Sequence, residues 1–315
     1  MAEALEGLAR EALDLGRAAA PSGKVATYIP ELGRADPGAV ALAIHTVDGD
    51  AVAVGDVSRC FTLQSVSKVF ALAALLRGGD DGLWEHVRQE PSGDAFHSIV
   101  RLEEEGGRPR NPFINAGAIV VSGRLPGVDP AARAGVVRAF LREAAASGDE
   151  AFAMDEAVYR SECRTGFRNR ALANFMCHHG VLVDPDGAAD GYFRQCALTA
   201  DVDALARAGL FLAAGGLDPH RDLRLLDAAA TRTIVALMGT CGLYDEVGSF
   251  AVRVGVPGKS GVSGAILAIV PGRMSIACFG PALGVRGNSV AGLAMLEFLA
   301  RELSLSVFDA GIAPP

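Results

Sequence analysis

Ser65 and Lys68 stand three positions apart in the run Phe61-Thr-Leu-Gln-Ser65-Val-Ser-Lys68-Val-Phe, at the head of an apolar stretch that reaches about Arg77. The pattern predicts a helix that starts near Ser65. Residues three apart on a helix are surface neighbours, so the two side chains share a face. A serine hydroxyl is a weak nucleophile until a base takes its proton, and a neutral lysine amine can be that base. The N-terminal end of a helix disfavours a nearby cation, and burial acts the same way, so a neutral Lys68 is expected. By itself the motif is short and recurs by chance.

A second motif, Lys259-Ser260-Gly261, precedes the apolar run Gly264–Val270. Lys-Ser-Gly beside a strand, downstream of Ser-x-x-Lys, resembles the layout of the penicillin-recognising serine enzymes. Their third element is missing: no Ser or Tyr in the chain has Asn two positions later. A related fold with a different reaction is the reading these motifs leave.

The elements that must position these residues are legible in outline. Residues 2–19 carry Leu5, Leu8, Ala12 and Leu13 at helical spacing. Val40–Val47 and Ala51–Val54 are apolar runs joined by Asp48-Gly49, a hairpin signal. A second hairpin is expected at Gly264–Val270 and Met274–Phe279, and a closing amphipathic helix at 287–303. Residues 80–115 look mostly irregular, with Arg101–Arg110 as an exposed charged face. Helices are expected at Pro130–Ala146, Glu162–His178, Ala200–Ala214 and Asp227–Met238. A lone hairpin is marginal, so the end strands should pair. The result is an α/β (α+β) fold: an antiparallel sheet flanked by terminal helices, with an inserted helical lobe. One domain over 1–315 is expected, its sheet part at about 1–64 and 246–315 and its lobe at about 65–245.

Composition narrows the partners. The 315 residues include 29 Lys plus Arg against 37 Asp plus Glu, a net charge of −8. Nucleic-acid and anionic-membrane binding lean on basic surfaces, so neither is expected. The six cysteines form no Cys-x-x-Cys and no zinc spacing, which reads as buried reduced thiols and a reducing compartment. The first residues are acidic rather than signal-like, and no apolar stretch approaches the ~18 residues a bilayer span requires. A cytoplasmic protein is expected.

Further segments sharpen the reading: Val25-Ala-Thr-Tyr28-Ile-Pro, Glu90-Pro-Ser-Gly93, Asn111-Pro-Phe-Ile-Asn115-Ala-Gly-Ala-Ile, Ser161-Glu162 followed by Arg168-Asn169, Gly191-Tyr192-Phe-Arg-Gln-Cys196, Cys241-Gly-Leu-Tyr244, Gly258-Lys-Ser-Gly-Val262 and Arg286-Gly-Asn-Ser. With Gln64-Ser65-Val-Ser-Lys68 they resemble, in order from about residue 24 to 300, the serine-dependent glutaminases. The resemblance implies a β-lactamase-like fold and hydrolysis of L-glutamine to L-glutamate and ammonia without metal or organic cofactor. It implies Ser65 as nucleophile and Lys68 as its partner. Tyr28, Asn115, Glu162, Asn169, Tyr192 and Tyr244 become a glutamine-binding set, with Val262 supplying a backbone N–H beside that of Ser65. A homo-oligomer, dimer or tetramer, is implied as well.

Physical chemistry fits roles to these residues. Glu162 suits an α-ammonium, and Asn115, Asn169 and Tyr192 suit an α-carboxylate, with Lys259 as support for the anion. Tyr244 suits proton delivery to the leaving nitrogen, polarised by Lys259; whether Lys68 or Tyr244 serves as base stays open. Glu162 also suits the first turn of a helix, and Asn115 an N-cap. The chain departs from the family at Gly258, usually Ala, and at Ser263 and Ala265.

Overall fold

The apolar runs at both ends of the chain meet in one five-stranded antiparallel sheet. In spatial order its strands are Ala51–Gly55, Ala41–Thr46, Met274–Phe279, Ala265–Val270 and Gly258–Ser260. The N-terminal hairpin joins the C-terminal one where Ile44 faces Ile276 and Leu42 faces Cys278. The computed structural model describes residues 2–80, 82–92 and 99–309.

Side chains alternate across a strand, and here both faces are covered. Leu42, Ile44, Ile266 and Ile276 pack under the terminal helices Ala2–Ala19 and Val290–Glu302, against Ala9, Leu13, Met295 and Leu299. Ala41, Ala43, Leu267 and Ala277 face the lobe, against Leu205 and Phe211 of the helix Val202–Ala213. Small alanines on the lobe side let that helix lie close to the sheet. In the lobe the helix Ser67–Arg77 is buried from Ser67 to Leu75. A helix apolar all round belongs in the interior, and this one carries Lys68 there with it.

Three expectations change. Glu162–His178 is two helices, Glu156–Thr165 and Phe167–His178, broken at Gly166. A Cβ on Gly166 would lie 2.5 Å from both the Glu162 carbonyl and the Phe193 ring. Glu162 thus sits in the last turn of its helix, not the first. A further helix, Pro185–Cys196, stands between the expected ones, capped by Asp184, which accepts from Gly187 N, and opened by Pro185. The stretch 80–115 contains the short helices Leu83–His86 and Ile99–Glu104, while 81 and 93–98, including Gly93 of the Glu-Pro-Ser-Gly segment, lie outside the described residues. The charged run there is partly tied down: Glu105 pairs with Arg88 at 3.3 Å and Arg110 at 3.4 Å.

Of the six cysteines, all free, only Cys196 and Cys278 are buried and Cys60 is exposed. Among the described residues no helix is long and apolar enough to cross a membrane.

Candidate active site

Ser65 sits in a single 3-10 turn, Gln64–Val66, that feeds the buried helix. Gln64 is held at φ +46°, the left-handed region that costs a non-glycine residue energy. The Ser67 hydroxyl fastens the turn by donating to the Gln64 carbonyl at 2.7 Å. The Lys-Ser-Gly strand edge comes up beside it. A Cβ on Gly261 would stand 2.8 Å from the Leu63 carbonyl and 3.4 Å from Ser65 N. Glycine here lets two backbones approach and carries Val262 to the Ser65 side.

Lys68 is 1% exposed. Its Nζ donates to the Phe113 carbonyl at 3.0 Å and to Asn115 Oδ1 at 2.8 Å, and lies 5.5 Å from the centre of the Tyr192 ring. Burial lowers its pKa to about 8, against the opposing pull of Cys196 and Glu162. Among the described residues no hydrogen bond joins Lys68 to Ser65; the group bonded to Ser65 is the Tyr244 hydroxyl.

Tyr244 begins a 3-10 turn at φ +52°. Its hydroxyl donates to the Ser260 carbonyl at 3.3 Å, and burial pushes its pKa up to about 12. Gly242 makes the approach feasible, since a Cβ there would lie 1.7 Å from the Gly258 carbonyl. Lys259 is fully buried, its Nζ 4.6 Å from the centre of the Tyr244 ring. It donates to the carbonyls of Gly242 at 2.9 Å and Ser260 at 2.6 Å. Burial, with repulsion from Lys68, holds its pKa well below the ordinary lysine value.

Above this buried layer opens a cavity of about 380 Å³. Its wall brings together Tyr28, Ser65, Asn115, Glu162, Asn169, Tyr192 and Val262, which are distributed over most of the chain. Asn115 is the hub. Its Oδ1 accepts from Lys68 and, at 3.2 Å, from the Tyr192 hydroxyl, while its Nδ2 donates to Asn169 Oδ1 at 3.0 Å. Its side chain is therefore no N-cap; Ile114 holds that position. Glu162 is 7% exposed, and burial raises its carboxyl to about 7 despite a hydrogen bond from Gln64 and the attraction of Lys68. Tyr28, 58% exposed, stands at the rim. Its segment is tied to the Glu162 helix through Glu31, which lies 3.6 Å from Arg164.

Lys68, Tyr244 and Lys259 are not on the cavity wall, so Lys259 does not reach the place expected for an α-carboxylate. Its bonds fix the Tyr244 turn instead. Gln64 and Arg168 do line the cavity and were not nominated from sequence. Each adjoins a nominated residue, Ser65 and Asn169, but adjacency does not say which way a side chain points. Among the described lining residues Glu162 is the only acid and Arg168 the only base. At Gly258 a methyl would come 3.0 Å from Leu243 and 3.2 Å from Phe250. Those side chains occupy the room of the usual alanine, on the core side of the strand.

The sheet, terminal helices and inserted lobe are those of a β-lactamase-like fold, with a polar cavity over buried amines. A sequence model described as Glutaminase matches residues 23–308. A glutaminase of Rhodopseudomonas palustris is 50% identical over 291 residues, 92% of this chain and 93% of its own. A thermolabile glutaminase of Rhizobium etli is 50% identical over 288 residues, 91% of this chain and 93% of its own. The solved covalent complex of a Bacillus subtilis glutaminase with 5-oxo-L-norleucine, formed from 6-diazo-5-oxo-L-norleucine, is 32% identical with a TM-score of 0.86, covering 95% of this chain and 99% of that one. The chain belongs to the glutaminase family, hydrolases that act on the side-chain amide of glutamine.

Proposed function

We propose that the chain hydrolyses L-glutamine to L-glutamate and ammonia through an acyl-enzyme on Ser65. The observation that carries this is the convergence of Ser65, Glu162 and Asn115 on one cavity, with Lys68 hydrogen-bonded to Asn115 and Tyr244 to Ser65. Ser65 Oγ bonds to the side-chain carbonyl carbon, the C–N bond breaks, and the nitrogen leaves as ammonia with the proton Ser65 gave up. Water then adds to the acyl carbon, Ser65 recovers a proton and glutamate is released.

Lys68 is the base and Tyr244 the relay. Two N–H bonds of a neutral Lys68 are spent on Phe113 and Asn115, which leaves its lone pair to accept a proton. Near neutral pH an amine at about 8 is within reach of that state, while a phenol at about 12 keeps its proton. The gap corresponds to about 5 kcal/mol, enough to assign the two roles. Tyr244, bonded to Ser65, gives its own phenol proton to the departing nitrogen, and the proton that Lys68 took from Ser65 restores the phenol. Backbone N–H groups of Ser65 and Val262 stabilise the oxyanion, each worth about 3–4 kcal/mol when aligned. Glu162 binds the α-ammonium, Asn115, Asn169 and Tyr192 orient the α-carboxylate, and Tyr28 closes the rim. Lys259 supports the reaction through Tyr244.

The working form we propose is a cytoplasmic homo-oligomer, dimer or tetramer, of one-domain chains; six free thiols support the reducing compartment. The decisive experiment treats the protein with 6-diazo-5-oxo-L-norleucine and maps the adduct by mass spectrometry. Wild type should be labelled on the Ser65 peptide, and Ser65→Ala should be unlabelled, release no ammonia and still bind glutamine. Labelling elsewhere, or turnover by Ser65→Ala, removes Ser65 from the mechanism.

A further inference from the structure

Outside the cavity, three side chains close a hydrogen-bonded triangle. Tyr159 Oη donates to Asp190 Oδ1 at 2.6 Å. Arg194 Nε donates to Asp190 Oδ2 at 2.8 Å, and its terminal nitrogen donates to Tyr159 Oη at 2.7 Å. The guanidinium also stacks 4.3 Å from the centre of the Tyr159 ring. The Cys163 thiol adds a weak contact to Asp190 at 3.8 Å. Each group thus satisfies the other two, and Asp190 accepts from all of its partners.

The triangle joins two site-bearing helices. Tyr159 and Cys163 belong to Glu156–Thr165, where Glu162 lies between them in sequence. Asp190 and Arg194, one turn apart, belong to Pro185–Cys196, which presents Tyr192 to the cavity. The first of these helices has only 10 residues, too short to hold its place by intrinsic propensity. Its position is set by what it touches, and on this side it touches the triangle.

We propose that Asp190 is a positioning residue for substrate binding: through Tyr159 and Arg194 it fixes the gap between Glu162 and Tyr192. This rests on the reading above that Glu162 takes the α-ammonium. A pocket that grips both α-groups of an amino acid tolerates little change in that gap, because hydrogen bonds to a charged group weaken steeply as distance and angle depart from ideal. Tyr159, Asp190 and Arg194 are not among the described lining residues of the cavity, so their effect passes through Glu162 and Tyr192 and belongs in binding.

The experiment measures KM and kcat for L-glutamine in Asp190→Asn, Tyr159→Phe and their double variant, beside Glu162→Gln, well below each melting temperature. Asp190→Asn should raise KM about ten-fold with kcat within about two-fold of wild type. Tyr159→Phe should do the same more weakly, and the double variant should be no worse than Asp190→Asn, because both break one network. A merely structural triangle would lower the melting temperature and the active fraction while leaving KM unchanged. Wild-type KM in Asp190→Asn alongside a raised KM in Glu162→Gln overturns the proposal alone. Wild-type KM in both overturns the ammonium reading and this proposal with it. If Asp190→Asn fails to fold, Tyr159→Phe, which keeps the ring and loses one hydroxyl, decides by the same KM criterion.

Discussion

Replacing Lys68 by methionine tests the buried amine from two sides. In the unfolded chain Lys68 titrates at its ordinary 10.5, and in the folded protein at about 8. Between those values the unfolded state holds more protons, so folding stability rises with pH across that window. The displacement is worth about 3 kcal/mol at ~1.4 kcal/mol per pH unit. Below about pH 8 both states are protonated and the full penalty of a buried charge is present. Lys68→Met has no such group. Its stability relative to wild type should therefore fall by about 3 kcal/mol from near pH 7.5 to near pH 10.5. Relief of the repulsion on Lys259 widens the difference in the same direction. Near neutrality the variant loses the partner of the Phe113 carbonyl, costing about 1–3 kcal/mol, whereas Asn115 Oδ1 keeps Tyr192. The inactive variant should thus be at least as stable as wild type at pH 7. The assay is urea unfolding followed by circular dichroism at the two pH values, with ammonia release measured in parallel. Parallel stability–pH curves for the two proteins would show that Lys68 titrates normally and refute the neutral-base argument; ammonia release by the variant would do so independently.

kcat/KM for glutamine should climb with pH through about 7, where Glu162 ionises, and about 8, where Lys68 becomes neutral, because both active forms are deprotonated. A flat profile from about pH 6 to 9 contradicts both assignments. Glu162→Gln should weaken glutamine binding by about 2–4 kcal/mol, read as a KM rise of ~30- to 1,000-fold in an ammonia-release assay. Gly242→Ala should cost about 1–3 kcal/mol and most of kcat, since its methyl meets the Gly258 carbonyl and displaces the Tyr244 turn. Thermal melting and turnover check it, and unchanged values for both would mean the turn yields freely.

Much of the site was written locally. Ser65 and Lys68 stand three positions apart where a 3-10 turn runs into the helix Ser67–Arg77, so their nearness in the chain is legible without the fold. The two hairpins follow from apolar runs around Asp48-Gly49 and Pro271-Gly272, and they pair as expected because neither is stable alone. The failures share a cause. Helical periodicity carries through Gly166 and so sets Glu162 at a helix start, whereas the chain breaks at Gly166, where the Phe193 ring of another helix leaves no room for a side chain. Sequence shows the type of Lys259 and not its depth, so it suggests support for the substrate anion where the fold buries the amine completely.

Residue types and local spacing pointed to Ser65 with Lys68 three positions on, to an antiparallel frame and to the family. Tertiary structure decided what those residues do to one another. It lowered Lys68 to about 8 by burying it, raised Glu162 to about 7 by the same means, and hydrogen-bonded Tyr244 to Ser65. It also made Asn115 the link between the buried amine and the cavity wall. Desolvation and hydrogen bonding depend on groups 45 to 158 positions away along the chain, such as Phe113 for Lys68 and Asp203 for His45. No local pattern encodes them, because they exist only once the sheet and the lobe have closed on each other.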